Sequence, residues 1–278
     1  MDIKGIGELY KAGDLQAALV HSKAFVRDNP ENGEGRGLLL QLYLFAGELD
    51  KAKKQLEFLE FQKKDDLPSY MTLKVIGEMI DCEIQRHAFY KKASSEVPAL
   101  FDDEIDLLSD AYALVTNAQN GSLTSEKAEA ITGQRPLLPV VCQLQDDEIR
   151  GELAEPDDLT AFGLEVFSAR KGYAWLAWKN IASIEFHPYE KPMDLMYRRA
   201  VIKRKGDTEE TPPLQAYVPA IYANTSRDDV AACMGRTTDW LANDETGLVS
   251  GSGQKCLLVG DQLVPLLQIG TLTALELS

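Results

Sequence analysis

A short motif recurs at a fixed period near the start of the chain, and it limits the fold more than any other feature. Tyr10-Lys-Ala12-Gly13-Asp14-Leu15-Gln-Ala-Ala18 returns as Leu44-Phe-Ala46-Gly47-Glu48-Leu49-Asp-Lys-Ala52, with Gly13 and Gly47 separated by 34 residues. Repeats of this length are pairs of antiparallel helices that bury their apolar faces by stacking on the next pair. The matched glycine, acid, leucine and alanine stand where a tight turn leads into close helix packing.

Apolar spacing predicts helices near residues 3–12, 15–28, 34–46 and 49–62. Pro30, in Asp28-Asn29-Pro30-Glu31-Asn32, separates the pairs, because proline has no amide proton and disfavours helix in the residue before it. The period is that of tetratricopeptide repeats. Helical spacing continues over 68–92, 103–120 and 125–132, so residues 1–135 are expected to form a tetratricopeptide-like helical domain. The acids Asp102, Asp103, Glu104, Asp106 and Asp110 suit the positive end of a helix dipole. They lack the central glycine and spacing of a calcium loop, so no metal is expected there. Gly13, Gly47, Ala18 and Ala52 are expected to be structural, since larger side chains would push packed helices apart.

After Gly133-Gln-Arg-Pro136 the apolar period changes to alternation and short β-rich runs. Residues 164–170 and 173–178 flank Lys171-Gly172 and predict a hairpin, with Tyr173 and Trp175 on one face and Trp178 on the other. Further strands are expected over 181–187, 200–205, 215–222, 256–259 and 263–269. Residues 136–278 therefore read as a mainly antiparallel β-rich domain, and the whole chain as an α+β protein. Trp175, Trp178 and Trp240 are expected in the core. Arg198, Arg199, Lys203, Arg204 and Lys205 form one basic cluster and read as a solvated strand edge that resists aggregation.

Charge narrows the function. The chain carries 29 Lys+Arg against 44 Asp+Glu, a net of -15. Residues 1–135 hold 16 basic and 23 acidic side chains, net -7, and the remainder holds 13 and 21, net -8. Acidity spread this evenly repels a polyphosphate backbone and an anionic bilayer, so neither nucleic acid nor membrane is an expected partner. Cys82, Cys142, Cys233 and Cys256 form no CxxC pair and read as reduced, mostly buried thiols of a cytoplasmic protein. The first residues carry no apolar signal segment, and no run approaches the roughly 18 apolar residues of a membrane span.

Catalytic patterns are sparse. His21, His87 and His187 sit in separate segments without HExxH or other ligand spacing. Gly251-Ser-Gly253-Gln-Lys255 has glutamine where a phosphate loop has lysine and no hydroxyl residue after Lys255, so it reads as a turn into a strand. No GxSxG elbow occurs. Cys233 or Ser183 with His187 and Asp194 would supply nucleophile, base and acid by type, but no spacing forces them together. Neither an enzyme nor a bound cofactor is expected.

Several blocks resemble one family. They are Arg36-Gly-Leu-Leu-Leu-Gln-Leu-Tyr-Leu-Phe45-Ala46-Gly47-Glu-Leu-Asp-Lys-Ala-Lys-Lys-Gln55-Leu56, Asp157-Asp158-Leu-Thr-Ala-Phe-Gly163-Leu164-Glu165-Val166, and Tyr173-Ala-Trp175 with Ile181. Pro192-Met-Asp194-Leu195, Arg236-Thr-Thr-Asp239-Trp240 and Gly251-Ser-Gly253-Gln254 complete them. Together they resemble the ImpE/SciE-type (TagJ) accessory proteins of bacterial type VI secretion. The resemblance implies a cytoplasmic, non-enzymatic adaptor that binds the N-terminal segment of the small sheath subunit (TssB/VipA-like) and acts on sheath assembly or ClpV-dependent recycling. A concave helical-repeat groove suits an amphipathic helix or extended peptide. A chaperone for a secreted effector, or an enzyme acting through His187 and Asp194, are the other readings. Candidate partner-binding residues are Arg36, Gln41 and Tyr43 on the third helix, with Asp194, Arg198 and Arg236 in the β domain, each a polar or aromatic group within or beside an apolar family block.

Overall fold

The structure, a computed structural model, describes residues 1–91, 98–101 and 105–275. Helices α1 (Ile3–Ala12) and α2 (Leu15–Asp28) form the first pair, and α3 (Gly33–Phe45) and α4 (Leu49–Lys63) the second. Their turns repeat bond for bond. Gly13 and Asp14 donate to Tyr10 O and Leu9 O, and 34 residues later Gly47 and Glu48 donate to Leu44 O and Tyr43 O. This closure needs a left-handed residue, and both glycines have positive φ, 92° and 67°. Asp14 then caps α2 by accepting from Ala17 N at 2.9 Å. Ala18 and Ala52 are fully buried where the helices touch. Ala52→Leu is expected to cost about 1–3 kcal/mol by overpacking, read from the urea midpoint.

The third repeat departs from the other two. Helix α5 (Leu67–Tyr90) begins with Pro68 in its first turn and carries Asp81 where a third turn glycine would fall. The helix runs on past that point, so no second helix folds back, and its C-terminal half packs on the sheet. The short strand β1 (Ala99–Leu100), α6 (Ile105–Asn120) and α7 (Ser125–Thr132) follow. Asp106 lies in the first turn of α6, whereas Asp102, Asp103 and Glu104 fall outside the described residues.

Next come β2 (Leu138–Leu144), β3 (Glu148–Ala154), β4 (Gly163–Ser168), β5 (Gly172–Ala177), β6 (Ile181–Phe186), β7 (Tyr197–Arg204) and β8 (Leu214–Pro219). The short α8 (Val230–Cys233) leads to β9 (Thr238–Ala242), β10 (Val249–Gly253), β11 (Cys256–Val259), β12 (Gln262–Pro265) and β13 (Ile269–Ala274). Among the described residues 11 strands form one sheet, in the order β1-β5-β4-β8-β7-β6-β13-β2-β3-β11-β12, and β9 and β10 pair separately. Among the described residues every strand pairing is antiparallel except β1 with β5. The fold is the expected α+β one.

Three local expectations are corrected. Residues 263–269 are not one strand, because a 3-10 turn at Leu266–Gln268 divides β12 from β13. Gly251 and Gly253 lie inside β10 instead of a turn, where an added Cβ at Gly251 would meet the Tyr222 ring at 2.4 Å. The basic cluster is not on an edge, since β7 lies between β8 and β6, and Arg198 faces inward.

The hairpin β4–β5 turns at Gly172, with φ 71°, and is covered on both faces. Tyr173, Trp175 and Ala177 join the helical core with Phe89 and Leu108, and Ala174, Leu176 and Trp178 join a second core on the opposite face. Trp175 meets Phe89 edge-on with ring centres 6.0 Å apart. The helices thus share the first of these cores with one face of the sheet, and Trp240, half-buried, packs on Tyr222.

Candidate partner groove and the ionic interface beneath it

A groove of about 570 Å³ runs between α3, the N-terminal half of α5 and the segment leading into β7, lined in part by Gln41, Thr72, Val75, His187 and Asp194. A neighbouring hollow beside Glu34 and Ser69 shares Leu59 and Thr72 with it. A small cavity of about 200 Å³ at Phe167 and Cys82 shares Val75 and Tyr217 with the groove. Leu67, Met71 and Val75, spaced by four residues, are exposed along one stripe of α5, Leu67 to 67 %. The missing second helix of the third repeat leaves this stripe uncovered.

The candidate residues separate. Gln41, Asp194 and Arg198 line the groove together. Asp194 Oδ2 accepts from Glu190 N at 2.9 Å and Lys191 N at 2.8 Å, so its carboxylate shapes the groove wall. Arg198 is 4 % exposed and donates to Leu266 O at 2.5 Å and His187 O at 3.3 Å, tying the ends of neighbouring strands. Arg36 sits in the seam between α3 and α4, donating to Pro30 O and Gln55 Oε1 and lying 3.6 Å over the Phe58 ring. Tyr43 is buried, with Lys23 and Lys51 near its ring, and burial raises its hydroxyl pKa. Arg236 meets the end of α1.

Of the groups that could form a catalytic triad, Cys233, His187 and Asp194 are otherwise engaged. Cys233 is buried, its thiol pKa raised by burial, and it donates to Ser226 O at 3.2 Å. His187 Nδ1 lies 3.0 Å from Arg199 Nη2, and Ser183 belongs to β6. Among the described residues no group of three or more His, Cys, Asp or Glu is placed to hold a metal ion.

Farther along α5 than the groove, the helix meets the sheet through charge as well as apolar packing. Glu165, fully buried on β4, accepts from Arg86 Nε and Nη2 at 2.8 Å each and from Lys255 Nζ at 2.6 Å. Tyr173 OH also donates to Glu165 Oε1 at 2.8 Å and accepts from Trp175 Nε1 at 2.9 Å. Arg86 donates further to Ile221 O at 3.0 Å and lies 3.4 Å from Glu83 Oε1. Burial works to raise the Glu165 carboxyl, but Arg86 and Lys255 outweigh it and hold it well below the usual carboxylate range. Two other buried acids behave oppositely. Burial lifts Glu155 to about 8 and Asp157 to about 6, although backbone amides of Gly251 and Leu159 bond Asp157.

None of this network was among the candidate residues. Glu165 is the one charged residue within the two strands of the hairpin, opposite Trp175, and that isolation was the available signal. Lys255 was read only as part of a failed phosphate motif. Arg86 gave no signal, because its partner lies 79 residues away.

Fold and interface define the class: a tetratricopeptide-type helix stack mounted through a buried ionic junction on an antiparallel β sheet. Residues 9–74 match the tetratricopeptide repeat family and residues 148–273 match the family described as ImpE protein. The chain is 28% identical over 246 residues to the type VI secretion system accessory component TagJ of Pseudomonas aeruginosa, covering 88% of this chain and 82% of that protein. A crystal structure of a Vibrio parahaemolyticus protein superposes with a TM-score of 0.81 at 20% identity, covering 98% of both chains, and shares the fold. Residues 148–273 thus carry an ImpE-type region, and the chain is similar to TagJ over most of its length. Among the described residues no helix is long and apolar enough to cross a membrane.

Proposed function

We propose that this chain is a non-enzymatic, cytoplasmic accessory component of type VI secretion that holds the N-terminal segment of the small sheath subunit (TssB/VipA-like) in the groove along α5. Through that contact it acts on sheath assembly or ClpV-dependent recycling. The observation that carries the reading is the uncovered α5 stripe of Leu67, Met71 and Val75 beside a groove to which both halves of the chain contribute. A segment with apolar residues at helical spacing would cover that stripe as a second repeat helix would. The kinship to an accessory component and the engaged state of Cys233, His187 and Asp194 favour binding over catalysis.

Titration calorimetry with a synthetic peptide of that N-terminal segment is expected to show saturable binding below roughly 100 μM. Val75→Asp places a charge on the groove lip and is expected to weaken it about tenfold, near 1.4 kcal/mol. Absence of binding by the unaltered protein would overturn the reading. Recovery of secreted effectors without sheath subunits from a secreting cell would favour a chaperone instead.

A further inference from the structure

The segment between β8 and β9 lies across both repeat turns, and its two arginines each meet one turn glycine. A Cβ added to Gly13 would stand 2.7 Å from Arg236 Nη1, and one added to Gly47 would stand 2.5 Å from Arg227 Nε. Arg236 Nη2 donates to Tyr10 O at 3.0 Å and Lys11 O at 2.8 Å, the closing carbonyls of α1. Arg227 passes over Gly47 at the end of α3 and reaches His87 Nε2 on α5 at 2.8 Å. The end of a helix presents unpaired carbonyls and the negative end of its dipole, so a guanidinium is suited to it by charge and by donors. Two arginines nine residues apart thus meet two glycines 34 residues apart.

Stacked helix pairs touch only their neighbours, which leaves the angle between pairs soft. A strap bonded to the first turn, seated on the second and tied to α5 reaches all three repeats. We propose that Arg227 and Arg236 are positioning residues that hold the helix pairs and α5 at one angle and so set the width of the groove. The proposal rests on reading that groove as the partner site. Removing the strap lowers the fraction of molecules whose groove fits the partner, and the observed affinity falls by that fraction.

The test compares Arg227→Ala/Arg236→Ala with the unaltered protein and with Lys203→Ala/Lys205→Ala, which removes two exposed cations elsewhere in the β domain. Amide exchange is followed at residues 9–14 and 43–48, and affinity for the sheath-subunit peptide by calorimetry. The arginine double variant is expected to exchange faster at both turns and to bind roughly tenfold more weakly. The lysine variant should match the unaltered protein, and Arg236→Lys should restore part of both losses. Unchanged exchange at the turns, or unchanged affinity despite faster exchange, overturns the proposal. If the unaltered protein binds no peptide, the partner assignment fails by itself. Exchange then decides the strap: faster at both turns upholds it, and unchanged overturns it.

Discussion

Replacing Glu165 with alanine is expected to destabilise the protein by about 3–5 kcal/mol, a large part of the roughly 5–15 kcal/mol that a folded domain has. The carboxylate is fully buried and offsets two cations, Arg86 and Lys255, that are themselves 1 % and 3 % exposed. Without it, Lys255 has lost its carboxylate partner in a dry site, and Arg86 is left with Glu83 at 3.4 Å and the Ile221 carbonyl. Removing one partner of a buried pair costs far more than removing all, because the desolvation of the survivor is uncompensated. The quadruple variant Glu83→Gln/Arg86→Met/Glu165→Leu/Lys255→Met, which leaves no unpaired carboxylate behind, should therefore recover most of the loss. Urea midpoints measure both, and a loss below about 1 kcal/mol for Glu165→Ala would mean that water reaches the junction.

Glu155→Gln is expected to become increasingly more stable than the unaltered protein as pH rises from about 5 to about 8, by on the order of 3–5 kcal/mol at the upper end. Tyr222 OH lies 3.1 Å from both Glu155 Oε1 and Cys256 O, and has one proton to give. A protonated Glu155 donates to Tyr222, Tyr222 donates to Cys256 O, and Cys256 N donates to Tyr222 OH at 3.2 Å, so every group is satisfied. Burial raises the folded-state value of Glu155 from 4.5 to about 8. Across that window the unfolded chain has lost the proton while the folded one keeps it, so stability falls as pH rises. Asp157, raised from 3.8 to about 6, adds the same trend lower down. Glu165 runs the other way: its lowered value contributes stability above the ordinary carboxylate range, lost on acidification. Glutamine keeps the donor and cannot ionise. A variant-minus-unaltered difference that stays flat between pH 5 and 8 would refute the neutral Glu155.

Much of the helical half was legible because its determinants are local. Gly13 and Gly47 mark the turns, Asp14 caps α2, and apolar spacing sets α1 to α4. The hairpin was legible for the same reason, with alternation over four to six residues and Gly172 at its turn. Strand neighbours were not. Alternation tells which residues share a face, but not that β13 inserts between β6 and β2, pairing Leu272 with Cys142. Of the six partner candidates, Gln41, Asp194 and Arg198 share one groove, because the return of β7 beside α5 brings distant segments together.

By itself the sequence determined the helix pairs, their turns and the period change near Pro136, since each rests on contacts a few residues long. The tertiary structure alone decided which charges leave water. Arg86, Glu165 and Lys255 come from segments 79 and 90 residues apart, and each is tolerable in the interior only because the others are there.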